Sequence, residues 1–272
     1  MQSRTRTTAA AWLALGRPAV VVSVTQAQGS APREPGTRMV VSAREVVGTV
    51  GGGHLELKAI QRARGLLRTG EASACSEHFA LGPALGQCCG GAVTLGYMPL
   101  DVRALECWPV DPPRFELQLY GAGHVGRAIA TLLTTLDCRV DWIDEREECF
   151  DALTDWGTPW PGHIQRVCVD SVEAEVARAA PGASYLVLTH SHDLDLRITH
   201  AVLQRADFGY LGLIGSRTKR QKFVHRFERL GVSAQTLARM RCPIGVEGIQ
   251  AKAPEVVAIA VVAQLLQARD AP

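Results

Sequence analysis

The segment LQLYGAGHVGRAIATLL limits the possible folds more than any other part of the 272-residue sequence. The apolar run LQLY leads directly into Gly121-x-Gly123-x-x-Gly126, and a helical apolar pattern follows. In that context the glycines allow a tight turn and a close approach of backbone N–H groups to a phosphate at the start of a helix. The segment therefore predicts a Rossmann-like unit that binds a nucleotide or another phosphate-bearing ligand; a purely structural turn is the alternative.

The rest of the second half alternates strand runs with helical stretches, which is typical of a parallel sheet covered on both faces. The predicted strands lie in RFELQLYG, CRVDWID, RVCVD, SYLVLTH and GYLGLIG. Helices are predicted to begin near His124, Val172, Leu194, Thr218 and Pro254. We therefore predict an α/β protein in which residues 113–272 form a doubly wound parallel-sheet domain.

The first half contains short β-branched runs separated by glycines, which predict strands. One helical stretch interrupts them, with Leu55, Ala59, Ala63 and Leu66 on one face and Gly70 as its C-cap. Strands around a helix predict a small α+β domain. Periodicity lapses where prolines cluster at 99, 109, 112 and 113, so this domain is expected to span residues 1–112.

The N-terminal stretch AAAWLALGR fits a helix capped by Thr7 or Thr8 better than a signal sequence. No run approaches the ~18 apolar residues of a membrane span, so we expect a cytoplasmic protein without a membrane partner. The net charge of +2, with no basic stripe, argues against nucleic acid as a partner.

Two adjacent thiols, Cys88 and Cys89, lie between glycines in LGQCCGG. A disulfide between neighbours would be strained, and adjacent cysteines do not have the spacing of a zinc site, even with Cys242 and a histidine added. A nucleophile stays open, and so does a thiol pair offered to a soft ligand. Cys138 and Cys168 fall in strand-like runs and are predicted to be buried apolar residues.

Polar residues follow the predicted strands of the second half. Asp144 ends the strand after the glycine turn, at about the spacing of an acid that binds ribose. His124, inside the turn, either donates to a phosphate or caps the helix. His190 and His192 follow the fourth strand, at the edge where open α/β sheets bind ligands. A ligand-facing loop is favoured there over a metal site, and over histidines that pack or face solvent while Asp193 caps the next helix.

The segment GLIGSRTKRQKF repeats the strand, glycine and helix order at Gly215 and Ser216. Arg217, Lys219 and Arg220 fall in the first helical turn, where the helix dipole disfavours cations. We expect an anion or an acidic protein surface opposite them, with solvated charge as the alternative.

A third glycine-rich turn precedes the helix of the first domain. Residues 51–53 are all glycine and could form an anion-binding nest, with Arg33 and Arg38 as counter-charges. Glycines required by turn geometry alone explain the pattern equally well.

Together these segments resemble the xanthine dehydrogenase accessory factors, the XdhC/CoxI-like family. The resemblance rests on GSAPREPGTRMVV, GTVGGGHLE, LGQCCGG, YGAGHVGRA, DWIDEREECF, THSHDLDLRI, YLGLIGSRTKRQKF and CPIGVEGIQAKAPEVVAIAVVAQLL, in order from about residue 16 to 268. Ala31 stands where the family pattern GSSPR has a serine, which puts a hydroxyl contact there in doubt.

The resemblance implies a maturation factor without turnover, which holds the molybdenum cofactor (molybdopterin) as cargo during its sulfuration by a cysteine desulfurase. It implies delivery to xanthine dehydrogenase or a related molybdenum hydroxylase, contact with molybdenum cofactor biosynthesis proteins, and a homodimer. The cofactor-binding residues are predicted to be Cys88, Cys89, Gly121, Gly123, His124, Gly126, Asp144, His190, His192, Gly215 and Ser216. No resident metal is expected, although either adjacent thiol could contact the molybdenum.

The glycine fingerprint and Asp144 alone would also suit an NAD(P)-dependent oxidoreductase, with His190 or His192 as its acid or base. No further acid–base partner is evident in the sequence.

Overall fold

The computed structural model describes residues 2–70, 73–81, 90–109, 112–151 and 153–270. Contacts between residues divide the chain into two compact units, residues 1–112 and 113–272. The chain has a mixed α/β fold, with an α+β first unit and a parallel sheet in the second, as predicted.

The first unit is built around an antiparallel sheet with the strand order β3-β2-β1-β5-β4. Its elements are α1 (Gln2–Ala14), β1 (Ala19–Gln28), β2 (Arg38–Ser42), β3 (Val46–Gly48), α2 (Gly53–Thr69), β4 (Cys75–Ala80), β5 (Ala92–Pro99) and α3 (Val102–Glu106). Side chains alternate across the central strand β1, so the sheet buries both faces. Val20 and Val22 pack in the core with α2, whereas Val21 packs with Ala9 and Trp12 of α1.

The predicted buried face of α2 is confirmed, because Leu55, Ala59, Ala63 and Leu66 are its buried residues. Gly70 ends the helix in the left-handed conformation, with φ at +69°. The predicted cap of α1 is wrong, since the helix already begins at Gln2 and the Thr8 hydroxyl donates to the Arg4 carbonyl.

The second unit contains a six-stranded sheet with the order β11-β10-β9-β6-β7-β8, and every pairing is parallel. Its strands are β6 (Glu116–Tyr120), β7 (Arg139–Asp144), β8 (Ile164–Cys168), β9 (Ser184–Val187), β10 (Tyr210–Leu213) and β11 (Met240–Arg241). Its α-helices are α4 (His124–Leu133), α5 (His192–Arg205), α6 (Arg217–Arg229), α7 (Ala234–Ala238) and α8 (Pro254–Asp270).

Helices cover both faces of this sheet. One core contains residues of α5 and α6, and the other contains residues of α4 and α8. The helix predicted near Val172 is a 3-10 helix, Val172–Arg178. The chain runs outward from β6 to β8 and then returns to β9, so the order of the strands reverses between β6 and β9. Open α/β sheets bind ligands at that point, beyond the carboxyl ends of the strands.

No helix in the described parts of the chain combines the length and the apolar character that a membrane crossing requires.

Candidate functional site

The glycines of the turn between β6 and α4 have two different roles. Gly121 has φ at +114°, and a Cβ there would collide with the Leu188 carbonyl group. A Cβ on Gly126 would collide with the Gly121 carbonyl oxygen. A Cβ on Gly123 would meet no atom within 4 Å. The fold therefore requires Gly121 and Gly126, whereas Gly123 leaves open space above the turn.

The start of α4 lacks a side-chain cap. Gly123 is the N-cap residue in an extended conformation, and no side chain among the described residues accepts a hydrogen bond from the first turn. His124 is exposed and is the first helical residue, so it is not the cap. The N–H groups at the start of a helix have no intrahelical partners and carry its positive partial charge. This end of α4 therefore offers donors to an anion that approaches over Gly123.

Asp144 supports the turn from the end of β7. The carboxylate is buried, and its Oδ2 accepts a hydrogen bond of 2.7 Å from the Ala122 amide. Arg146 donates to both oxygens at 3.0 Å. Burial alone would raise the pKa of Asp144, but the hydrogen bonds from Arg146 and Ala122 lower it below the usual value. Both oxygens are thus engaged within the protein, and Asp144 is not a free acid awaiting a ribose.

A narrow crevice lies where the strand order reverses. The residues that line it include Gly121, Asp144, Glu145, Thr189 and His190. The His190 Nε2 lies 3.5 Å from a Glu145 carboxylate oxygen. Ligand pockets usually measure about 300–1,000 Å³, whereas this crevice as it stands has no room even for a water-sized group, so no whole ligand fits inside it.

His192 does not reach the crevice. It is the exposed first residue of α5, and the hydroxyl of Ser191, not Asp193, caps this helix by accepting from the Leu194 amide. Across the described residues, no three His, Cys, Asp or Glu side chains group closely enough to hold a metal ion. The structure brings His190 to the glycine turn and leaves His192 outside.

A buried ion pair joins the start of α5 to the start of α6. The fully buried Asp195 accepts from Lys219 Nζ at 2.5 Å and from the Thr189 amide at 2.9 Å. Lys219 Nζ also donates to the Ile214 carbonyl at 2.8 Å. The position of Lys219 in the first turn of α6 predicted an anion from outside the protein opposite it. For Lys219 that prediction is wrong, because its ammonium group is paired with Asp195. In the sequence, the ion pair between Asp195 and Lys219 is signalled only by an acid in the first turn of α5. An acid there is also explained by the helix dipole alone, so the signal does not identify its partner.

Gly215 and Ser216 position this lysine. A Cβ on Gly215 would collide with the Lys219 side chain, and the Ser216 hydroxyl accepts from the Lys219 amide at 3.1 Å as the N-cap of α6. Neither residue lines the crevice at Gly121. The structure thus places them on a second turn, which Lys219 and Asp195 link to Thr189 in the loop after β9.

Comparison with known proteins agrees with this fold. The profile of the XdhC Rossmann domain matches residues 117–265, which is more than half of the chain, and that of the XdhC and CoxI family matches residues 12–79. The chain belongs to the XdhC family. The glycine turn, Asp144, His190 and Ser216 all lie within the matched XdhC Rossmann domain.

Two relatives extend the comparison. The uncharacterised protein YqeB of Escherichia coli (strain K12) is 28% identical over 255 residues, which are 93% of this XdhC-family chain and 44% of YqeB. The chain thus spans less than half the length of this curated relative. The crystal structure of a xanthine dehydrogenase from Bacillus halodurans, 18% identical, superposes with a TM-score of 0.75 over 97% of this chain and 95% of that one. That likeness supports the shared fold.

In the first unit, amides of the glycine turn before α2 already donate hydrogen bonds to a side chain of the protein. Glu56 Oε2 accepts from the amides of Val50 and Gly52, each at 3.2 Å, and from the Thr49 hydroxyl. Arg38 donates instead to the Cys107 carbonyl at 3.0 Å. The anion nest considered for residues 51–53 therefore holds an internal carboxylate.

Cys88 and Cys89 lie outside the described residues. Cys138 is buried as predicted, and burial raises the pKa of its thiol to about 12. The prediction for Cys168 is wrong, because this residue is exposed. It ends β8, an edge strand of the sheet, where an apolar run does not guarantee burial on both faces.

Proposed function

We propose that the protein is an accessory factor that binds the molybdenum cofactor and inserts it into xanthine dehydrogenase or a related molybdenum hydroxylase, in purine catabolism. Membership of the XdhC family supports an accessory role for xanthine dehydrogenase. The observation that carries the proposal is the uncapped start of α4 beneath the open space at Gly123. A phosphate group on the cargo fits this turn, because it would accept from N–H groups that no side chain caps.

The other contacts follow from the chemistry of the cargo. A molybdenum–sulfur centre is soft and suits thiolate ligands better than carboxylates, so the proposal gives Cys88 and Cys89 to the metal end. In the proposal, the phosphate of the cofactor binds at Gly121, Gly123, His124 and Gly126. His190 would line the crevice beside them. The proposal also includes His192, Gly215 and Ser216 among the cofactor-binding residues. The Ser216 hydroxyl would have to bind the cofactor while it caps α6.

We further propose that a cysteine desulfurase sulfurates the cofactor while this protein holds it, and that biosynthesis proteins supply the cofactor. The proposed site of action is the cytoplasm, and the proposed assembly is a homodimer. Such a role needs no turnover by this chain, whose task is to bind, shield and release.

Cofactor retention tests the proposal directly. Purified protein incubated with free molybdenum cofactor should retain near one per chain after desalting and should activate apo-xanthine dehydrogenase. Cys88→Ala and Cys89→Ala should each lower retention, whereas Cys107→Ala, a change at an exposed cysteine, should not. Absence of retention by the unaltered protein would refute the function. Full retention by both cysteine variants would remove the thiols from it.

An NAD(P)-dependent oxidoreductase is the second candidate, favoured by the glycine fingerprint. The engaged oxygens of Asp144 argue against it, because a ribose would find neither oxygen free. A thermal-shift comparison separates the candidates, because a ligand at 100 times its Kd adds about 2.7 kcal/mol of stability. A large shift with NAD(P) and none with the molybdenum cofactor would reverse the ranking.

A further inference from the structure

A second, larger pocket lies at the carboxyl end of β11, apart from the crevice at Gly121. It has a volume of about 670 Å³ and is lined by the start of α6, by residues 240–250 and by Gln264 of α8. This volume is within the usual range for small-molecule sites, which the crevice does not reach. None of the residues assigned to the molybdenum cofactor lines it.

Three arginines give this pocket its charge. Arg217 and Arg220 reach it from the first turn of α6, and Arg241 from the end of β11. Within the described parts of the chain, none of the three guanidinium groups has a hydrogen bond or ion pair with another side chain. Glu247 is the one carboxylate in the lining. Arg217 and Arg220 also lie at the N-terminal end of α6, where the helix dipole disfavours positive charge. A bound anion would reduce both the repulsion among the arginines and their unfavourable interaction with the dipole.

The far wall is held in place by a side-chain clamp. Gln264 Nε2 donates to the Gly245 carbonyl at 2.8 Å, while its Oε1 accepts from the Gly245 amide at 3.1 Å. The Tyr210 hydroxyl donates to the same Oε1 at 2.7 Å and fixes the orientation of the amide. Three hydrogen bonds on one glutamine hold the glycine loop without any ligand. A preformed wall of this kind reduces the entropy lost on binding.

A buried thiol lies between the arginines and this loop. Cys242 is 7% exposed and lines the pocket, and its Sγ has one weak contact, 4.0 Å from the Ser216 carbonyl. Burial raises the pKa of the thiol, although the charges of Lys219 and Arg220 oppose that shift. The thiol is therefore a neutral, nearly unpartnered polar group that a ligand can cover.

We propose that this pocket binds a phosphate ester of nucleotide size, with Arg217, Arg220 and Arg241 on the phosphate and the loop at Gly245 against the body of the ligand. Guanidinium groups match phosphate oxygens in both charge and geometry, and three of them suit a dianionic phosphomonoester. The proposal stands independently of the molybdenum cofactor.

Calorimetric titration of the full chain tests the charge requirement. AMP and pyrophosphate should bind, and adenosine, which lacks the phosphate, should not. Because guanidinium–phosphate hydrogen bonds are charge-assisted and strong, Arg217→Ala with Arg220→Ala should raise the Kd for AMP at least about tenfold. The matched control, Arg226→Ala with Arg229→Ala, removes two exposed arginines at the other end of the same helix and should change it less than about twofold.

Two outcomes would overturn the proposal: neither anion binds at millimolar concentration, or both double variants weaken binding equally. Loss of folding would not imitate the expected result, since removing cations from the start of α6 should leave the thermal midpoint unchanged or higher.

Alkylation of Cys242 gives a second readout. Bound AMP should slow the reaction of iodoacetamide with Cys242, as followed by peptide mass spectrometry, while the exposed Cys168 serves as an internal standard. The rates are compared at a pH at which Cys242 reacts measurably without AMP; equal rates with and without saturating AMP would then place the ligand elsewhere and refute the assignment of this pocket.

Discussion

The glycine turn before α2 in the first unit and the glycine turn before α4 in the second unit differ in how many of their amides already donate to a side chain of the protein. At the start of α2, Glu56 supplies a carboxylate from within the helix and takes the amides of Val50 and Gly52. At the start of α4, Asp144 approaches from the neighbouring strand and, among the amides of that turn, accepts only from Ala122. The first turn is thus neutralised by its own helix, and the second remains open above Gly123.

The difference shows that a glycine-rich turn at the start of a helix does not by itself identify an anion-binding site. Both turns offer backbone donors and a positive helix end, so both resemble anion sites locally. The deciding feature is whether a side chain of the protein already accepts those donors. Four predictions test this contrast, in order of decreasing effect on stability.

Gly126→Ala should cause the largest loss. Its Cβ would collide with the Gly121 carbonyl oxygen, and the backbone of the turn would have to move. We expect the free energy of unfolding to fall by roughly 3 kcal/mol in denaturant titrations. Gly65→Ala is the matched control, because its Cβ meets open space within α2 and should add about 0.5–1 kcal/mol. A Gly126→Ala protein as stable as the parent would mean that the turn can relax at no cost.

Glu56→Gln should come next. The carboxylate accepts from two amides and the Thr49 hydroxyl, and charge-assisted hydrogen bonds are stronger than neutral ones. The substitution should lower the free energy of unfolding by about 1–2 kcal/mol. Glu45→Gln, which breaks the exposed pair with Arg17, should cost at most about 0.5 kcal/mol. If the two losses are equal, Glu56 is not the internal anion of this turn.

The sequence predicts the backbone of both units better than it predicts which side chains pair. Five strands of the parallel sheet and the buried face of α2 follow from apolar periodicity, which every residue of an element reinforces. Strand β4 was missed because CSEHFA has one buried residue, Phe79, and no alternating pattern. Strand β11 has only two residues, too few for any period to appear.

The side-chain pairs of the sites could not be predicted for a different reason. Asp195 and Lys219 lie 24 positions apart and meet only after β9 and β10 align. Gln264 reaches Gly245 from a helix whose start gives no hint of that contact. A polar residue's partner is set by the packed fold, so sequence alone left Asp144 and Lys219 free to face a ligand.

The pH dependence of stability tests the carboxylate beside the open turn. Burial alone would raise the pKa of Asp144, but hydrogen bonds from Arg146 and Ala122 lower it overall. Its contribution is therefore present above the usual aspartate pKa of about 3.9 and is lost as the pH falls through the lower folded value. Asp144→Asn should flatten the fall in unfolding free energy between pH 5 and pH 3, measured by urea denaturation. An unchanged slope would contradict a depressed pKa.

Gly123→Ser should have the smallest effect on stability and the most direct bearing on the contrast. The extended backbone at this N-cap position suits serine, whose hydroxyl would accept a first-turn N–H group of α4. The protein should gain a few tenths of a kcal/mol while retaining less molybdenum cofactor, because its turn would now resemble the occupied turn of α2. Gly123→Ala adds bulk without an acceptor, so comparing the two variants separates steric exclusion from loss of donors. Full cofactor retention by Gly123→Ser would show that the cargo does not use these amides, and the phosphate end would then have to be sought elsewhere in the protein.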